Sequence, residues 1–226
     1  MTLSVLDGLA YRGGAMSLHL DATAALSLAG WVREEPTRSA SAPVPQPLVG
    51  GCDQLVVWAS SFSVLASSDD QVWFLSAENY AGGVGVSDEA FPWNAFRHES
   101  LAVASGPAER AAINAFWSTH LPVLMSVRNG YEYLALAPDG QVVRGGEPEF
   151  EEVTIVAADF EALIRGIAAG VSTADPSTDA LLGTVVLPRR AVTGSSGGGA
   201  ELTARLFVRV HAIRRMGPDD YSSSRA

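Results

Sequence analysis

The segment 121–165 constrains the fold of this 226-residue chain more than any other, because its local signals agree with one another. Tyr131 to Leu136 alternates side chains between two faces, which is the period of a pleated strand. Ala137 to Gly140 follows with turn chemistry, since proline presets φ, aspartate can bond its own backbone and glycine accepts a positive φ. We therefore expect Gln141 to Arg144 to return as the second strand of an antiparallel hairpin.

A further strand and a capped helix are predicted downstream of the hairpin. Val153 to Val156 is a short, β-branched run that is typical of a strand. Asp159 can cap a helix by accepting bonds from first-turn amides, and Gly170 can end it in the left-handed conformation. The apolar stripe of this helix has the spacing i, i+3, i+4, i+7 and consists of Phe160, Leu163, Ile164 and Ile167.

These elements occur in an order that can be compared with known families. The residues concerned are Leu121 to Leu124, Tyr131 to Leu136, Asp139 to Val143, and Val156 to Phe160 with Leu163, all within about 117–168. On them the chain resembles the C-terminal half of the SUKH superfamily, which contains yeast cell-wall-synthesis regulators and many bacterial toxin-immunity proteins. The resemblance implies a non-enzymatic protein whose sheet and acidic loops bind a cognate toxin.

The charge of the chain narrows the classes of partner. The sequence has 25 acidic residues against 15 basic ones, all of them arginine, for a formal net charge of −10. Proteins that wrap nucleic acid neutralise phosphates with clustered Lys and Arg, so the acidic balance argues against a nucleic-acid partner. An acidic surplus instead steers a protein toward basic partners. We expect a basic protein as the partner and leave the oligomeric state open.

The sequence also indicates a compartment. No run of about 18 apolar residues is present, so no membrane association is expected. Met1 to Tyr11 lacks a basic region followed by an apolar stretch and a cleavage site. Cys52 is the single cysteine, which excludes an intrachain disulfide and fits a reducing compartment. We therefore expect a cytoplasmic protein.

The first half of the chain gives weaker signals. Met1 to Val32 is mixed, with an alternating stretch at Ser17 to Leu20 and a weak helix through Ala22 to Leu28. Residues 33–51 are rich in Pro, Ser and Ala and predict an exposed loop. A helix is expected from Pro107, with Glu109 in its first turn and a shared face of Ala112, Ala115, Phe116 and Thr119. Strands are expected at Leu55 to Trp58, Phe62 to Leu65 and Val72 to Leu75, with Ser67 to Asp70 as the turn between the last two.

The C-terminal part predicts an additional β extension at 184–213. Val185 to Leu187 and Leu202 to Ile213 are strand-like and flank the glycine-rich tip Gly194 to Gly199. The fold class that follows from all these elements is α+β, a mainly antiparallel twisted sheet with a few helices packed on one face. We expect residues 1–226 to form a single SUKH-like domain.

Motifs for catalysis or cofactor binding are not found. Gly194 to Gly199 lacks the lysine and the helix of a phosphate loop, and Gly82 to Gly85 lacks the spacing of a dinucleotide fingerprint. No nucleophile elbow occurs. The histidines, His19, His98, His120 and His211, have no metal-binding spacing, so neither a cofactor nor a metal is expected.

An acidic run is the most promising functional feature. It lacks the periodicity of a calcium loop, and we interpret it as a solvated loop that faces a partner. Two alternatives stay open: a small hydrolase with an unrecognised Asp/Glu–His site, and a structural or secretion-accessory subunit. The predicted contact residues are Glu147, Glu149, Glu151 and Glu152 of this run, with Trp93 and Phe96 of an aromatic patch.

Overall fold

The computed structural model describes residues 5–39, 41–82, 91–128 and 130–170, with side chains from residue 17 onward. Within these ranges the helices are α1 (Val5–Leu28), α2 (Asp53–Ala59), α3 (Ala77–Tyr80), α4 (Ala95–Val103), α5 (Pro107–Trp117) and α6 (Phe160–Ala169), with a short 3-10 helix at Gln46–Leu48. The strands are β1 (Val32–Glu34), β2 (Val64–Ala66), β3 (Val72–Phe74), β4 (Leu121–Ser126), β5 (Glu132–Leu136), β6 (Val142–Gly146) and β7 (Thr154–Ala157).

The strands form one sheet in which each strand pairs with the next along the chain. The order is β1-β2-β3-β4-β5-β6-β7, and every pairing is antiparallel. Helices α3, α4 and α5 lie between β3 and β4 in sequence, and α6 follows β7. The predicted α+β class with an antiparallel sheet is confirmed.

Helices contact both faces of the sheet, whereas the sequence predicted one. Phe74 shares a face with Leu124 and Leu134, because these residues are directly paired across three strands. The Trp58 ring of α2 lies 5.3 Å from Phe74 on that face. Tyr133 points to the opposite face, where its ring lies 5.6 Å from Phe96 of α4 and 5.0 Å from Trp117 of α5. The one-face arrangement is therefore corrected to a sheet covered on both sides.

The predicted hairpin and the last helix are confirmed in detail. Asp139 Oδ1 accepts a bond from Gln141 N (3.1 Å), and Gly140 adopts a φ of +86°. Asp159 caps α6 by accepting from Ala162 N at 2.7 Å, and Gly170 ends the helix with a φ of +60°. The apolar stripe of α6 is buried as the spacing predicted, at Phe160, Leu163, Ile164 and Ile167.

Other elements of the first half differ from the prediction. The strand expected at Leu55 to Trp58 is wrong, because these residues belong to α2 and bury a helical face of Leu55, Trp58 and Ala59. The alternating stretch at Ser17 to Leu20 is helical, since α1 runs through it. Helix α5 forms where predicted but buries Ile113 and Trp117, because the larger apolar side chains give more stabilisation than the alanines do.

The Pro- and Ser-rich segment 33–51 is mostly exposed, as expected, but it is held to the domain. Its first residues belong to the edge strand β1, which pairs with β2. Thr37 donates to Glu78 Oε1 of α3 through both its amide (2.8 Å) and its hydroxyl (2.7 Å). The predicted strands and glycine-rich tip within 184–213 lie outside the described residues.

Candidate functional site

The predicted acidic run forms the connection between β6 and β7, which we call the acidic loop (residues 147–152). Its first residue, Glu147, makes two hydrogen bonds with Tyr131, the residue just before β5. Glu147 N donates to Tyr131 O at 2.9 Å, and Tyr131 N donates to Glu147 Oε2 at 3.2 Å. The loop therefore leaves the sheet in a fixed direction.

The middle of the acidic loop is held by the aromatic core. Phe150 is buried and stacks on Phe96, with ring centroids 5.0 Å apart. The Tyr133 hydroxyl donates to the Phe150 carbonyl oxygen. Burial, together with the negative charge of Glu151, raises the pKa of Tyr133, so the hydroxyl keeps the proton that it donates.

Gly145 makes this bond possible. It lies directly opposite Tyr133 in the β5–β6 pair, and a Cβ built on it would overlap the Tyr133 hydroxyl. Only a residue without a side chain lets the tyrosine ring cross β6 and reach the loop. A glycine inside a strand is a known sign of such close approach, and this is the sequence signal that could have revealed the contact.

The four glutamates of the acidic loop have different environments. Glu151 is half-buried and accepts a bond from Trp117 Nε1 at 2.8 Å, so it holds the loop to α5. Glu147, Glu149 and Glu152 are exposed. Three of the four predicted contact glutamates thus lie at the surface, and the carboxylates of Glu147 and Glu151 also hold the loop in place.

The two aromatic contact residues predicted from the sequence are less accessible than the exposed glutamates. Phe96 is fully buried at the centre of the core, where it contacts Tyr133 and Phe150, so its prediction as a contact residue is corrected. Its burial could not be foreseen from the local pattern, since the aromatic rings that cover it come from distant strands and loops. Trp93 is half-buried, and its ring lies 6.1 Å from that of Tyr80.

The sheet edge next to the acidic loop exposes apolar side chains. The sequence analysis did not predict this apolar surface. β7 is the last strand in the sheet order of the described residues. Ile155 of β7 is 57% exposed and Val153 just before it is 37% exposed. We call Glu147, Glu149 and Glu152 with Val153 and Ile155 the acidic edge. It combines negative charge with apolar area, which suits a protein contact.

The histidines show no catalytic arrangement with a carboxylate in the described part of the chain. His120 stacks on Phe116 with ring centroids 3.9 Å apart, and its Nδ1 lies 3.0 Å from the Phe116 carbonyl oxygen. His98 is exposed on α4, and His19 is buried against Trp58. Among the described residues, no group of three or more His, Cys, Asp or Glu side chains is placed to hold a metal ion.

Neither protein-family models, nor curated proteins, nor solved structures match the chain. Over the residues that the structure describes, no helix has the length and apolar character needed to cross a bilayer.

Proposed function

We propose that this protein is a non-enzymatic binding module that captures a basic protein through its acidic edge. The partner that fits best is a bacterial toxin, which the contact neutralises in the cytoplasm. The observation that carries the proposal is the acidic loop, which presents exposed glutamates and is held to the rest of the domain at three of its residues, Glu147, Phe150 and Glu151. The resemblance of residues 117–168 to a superfamily rich in toxin-immunity proteins supports the same reading.

The fixed geometry of the loop favours binding. Ordering a flexible loop on association costs free energy, at roughly 0.5–1.5 kcal/mol for each immobilised side chain. In the acidic loop, bonds from Tyr131, Tyr133 and Trp117 already hold the Glu147 side chain, the Phe150 carbonyl oxygen and the Glu151 side chain. Glu149 and Glu152 therefore project from a loop that is held at neighbouring residues, and a partner has to order only their side chains.

The charge of the protein favours a basic partner. A toxin that acts on nucleic acid needs a cationic surface for phosphates, and the same surface is attracted to an acidic protein. Complementary charge raises association rates toward about 10⁸–10⁹ M⁻¹s⁻¹ at low salt and suppresses wrong partners. With a net charge of −10, this chain has the long-range field that such steering requires.

The proposal is tested by co-expressing the full chain with each toxin-domain protein encoded beside its gene and scoring growth. The wild-type chain is expected to restore growth with one of them. Glu149→Arg/Glu152→Arg should lose this protection and slow association by roughly 10-fold or more at low salt, measured with the purified pair.

Asp21→Arg/Glu99→Arg is the matched control, because both carboxylates are exposed and lie on α1 and α4, outside the acidic edge. It makes the same change in net charge and should leave protection intact. If both variants lost protection equally, the loss would be explained by net charge alone, and this would contradict binding through the acidic edge. Absence of protection against every neighbouring toxin-domain protein would contradict the proposed function.

A further inference from the structure

The two outer strands of the sheet differ in how well their free edges are protected. An edge strand presents unpaired N–H and C=O groups, and charged side chains on such a strand prevent uncontrolled pairing. Among the described residues, β1 and β7 are the outer strands. β1 contains Arg33 and Glu34, and the Arg33 guanidinium is held by Glu35 and by the Ser61 carbonyl oxygen. β7 contains neither a charged residue nor a proline, so its composition does not oppose the addition of a strand.

Ile155 adds an apolar side chain to the edge of β7. It is paired with Val143, which is paired in turn with Ala135. Ala135 lies two residues after Tyr133, so these side chains point to the face of the sheet that α4 and α5 contact. Ile155 is nevertheless 57% exposed. A strand added beside β7 would make backbone hydrogen bonds and would shield Ile155 with a side chain of its own.

Acidic side chains flank β7 at both ends. Glu152 lies two residues before the strand and Asp159 lies two residues after it, and both are exposed. Each residue of a strand advances about 3.3 Å, so an extended segment slightly longer than β7 reaches both carboxylates. Opposite charges on paired strands stabilise the pair, whereas like charges destabilise it. The segment that fits this edge is therefore apolar in the middle and basic at its two ends.

We propose that the basic partner adds an extended segment of its own to β7 as a further strand, with an apolar residue against Ile155 and with Arg or Lys beside Glu152 and Asp159. The inference rests on the proposed function, since it states how the acidic edge holds its partner. The backbone hydrogen bonds supply affinity, whereas Ile155 and the two carboxylates supply specificity. The glutamates stay exposed in the free protein and meet the basic residues only in the complex.

A second copy of this chain fits the edge less well. Pairing β7 with β7 of another molecule would bring the flanking carboxylates of the two copies close together, and juxtaposed like charges oppose association. The net charge of −10 on each copy adds long-range repulsion. A segment with basic ends meets neither obstacle, so it is the occupant that the charges favour.

The test uses the full-length protein and a fluorescent synthetic peptide, Arg-Thr-Ile-Thr-Ile-Thr-Arg. Its control is the same peptide with methyl groups on the central backbone nitrogens, which keeps every side chain but removes backbone donors. Fluorescence anisotropy should show that the unmodified peptide binds about 10-fold more tightly, because the lost hydrogen bonds contribute to affinity. Hydrogen–deuterium exchange should slow at residues 153–158 when the unmodified peptide is added, and it should stay unchanged in β4 and β5.

Substitutions separate the apolar contact from the charge. Ile155→Thr keeps a β-branched side chain but removes apolar area, so it should weaken binding of the unmodified peptide by about 3-fold or more. Val103→Thr is the matched control, because Val103 is 81% exposed at the end of α4, outside the acidic edge, and it should leave binding unchanged. Glu152→Arg should weaken both peptides, since it acts on the charge that they share.

The outcomes distinguish a failure of strand addition from a failure of the proposed function. Equal binding of the two peptides would overturn strand addition and leave the proposed function intact, because charge alone would then explain the contact. Strand addition would also be overturned if neither peptide bound, if exchange at residues 153–158 did not slow, or if β7 in the free protein became protected as its concentration rose. The last result would identify a second copy as the occupant. Selective binding of the unmodified peptide would support the strand site even if the growth assay contradicted the proposed function.

Discussion

The two faces of the sheet are built differently. On the side that we call the Tyr133 side, with α4, α5 and the acidic loop, the polar atoms of the aromatic rings have partners: the Tyr133 hydroxyl donates to Phe150 O and Trp117 Nε1 donates to Glu151. On the opposite side, the Trp58 side, with α1, α2 and α6, the buried atoms Trp58 Nε1 and His19 Nδ1 have no hydrogen-bond partner among the described residues.

This difference separates a side whose geometry is fixed by directional hydrogen bonds from a side that is held mainly by apolar packing. A buried donor without a partner costs about 1–3 kcal/mol, so the Trp58 side has to offset that cost with apolar contacts. Trp58 is fully buried between Phe62 and Phe74, with ring centroids 5.6 and 5.3 Å away. Hydrogen bonds fix angles as well as distances, so the Tyr133 side can place the acidic loop, whereas the Trp58 side mainly contributes stability.

Among the substitutions that test this comparison, replacing Phe96 should lower the free energy of unfolding the most. Phe96 is fully buried on the Tyr133 side and contacts Tyr133 and Phe150. Phe96→Ala is expected to lower the free energy of unfolding by about 3–5 kcal/mol, since it removes buried area and leaves a cavity. Urea denaturation followed by tryptophan fluorescence measures the change. Trp93→Ala, at the half-buried neighbour, should cost clearly less; similar losses would contradict the assignment of Phe96 to the core.

The sequence predicted those parts of the fold whose signals are local. The β5–β6 hairpin follows from the turn at Asp139 and Gly140, and α6 follows from its cap at Asp159 and its stop at Gly170. Helix α2 was predicted as a strand because four consecutive apolar residues suit either element. The spacing of Leu55, Trp58 and Ala59 is helical, but it can be recognised as a buried helical face only when the core that covers it is known.

The candidate site could be predicted only in part, for the same reason. The exposed glutamates Glu149 and Glu152 follow from composition, because carboxylate runs are usually solvated. The bond from Trp117 to Glu151 joins residues 34 apart in sequence, and no local pattern encodes such a pairing. Phe96 is predicted as a contact residue because the sequence of an aromatic cluster does not indicate which ring faces inward.

Removing one hydrogen bond on the Tyr133 side should have an intermediate effect. Tyr133→Phe keeps the buried ring but leaves the Phe150 carbonyl oxygen without its donor. We expect the free energy of unfolding to fall by about 1–3 kcal/mol, the cost of an unsatisfied buried polar group. Hydrogen exchange should also rise in the acidic loop while it stays unchanged in β2 and β3. A uniform change across the sheet would show that the bond stabilises the domain without positioning the loop.

Replacing a polar side chain on the Trp58 side should have the smallest effect at neutral pH. His19 is 5% exposed, and its Nδ1 has no partner in the described part of the chain. His19→Leu removes a buried polar atom without a partner but also the edge contact of the His19 ring with Trp58, so the two effects offset and the free energy of unfolding should change by less than about 1 kcal/mol at pH 7.5. Urea denaturation at that pH gives the baseline for the variant and the wild type.

The same substitution should have a larger effect in acid, and the sign follows from burial. Burial lowers the pKa of His19 below its ordinary value, because the charged imidazolium is poorly solvated there. The unfolded chain therefore binds the proton more readily than the folded one, and the wild type loses stability as pH falls below about 6.5. His19→Leu lacks this group, so its stability relative to the wild type should rise between pH 7.5 and 5.5. A constant difference across that range would show that the His19 environment does not penalise the charged ring, and the contrast between the two sides would then rest on Trp58 alone.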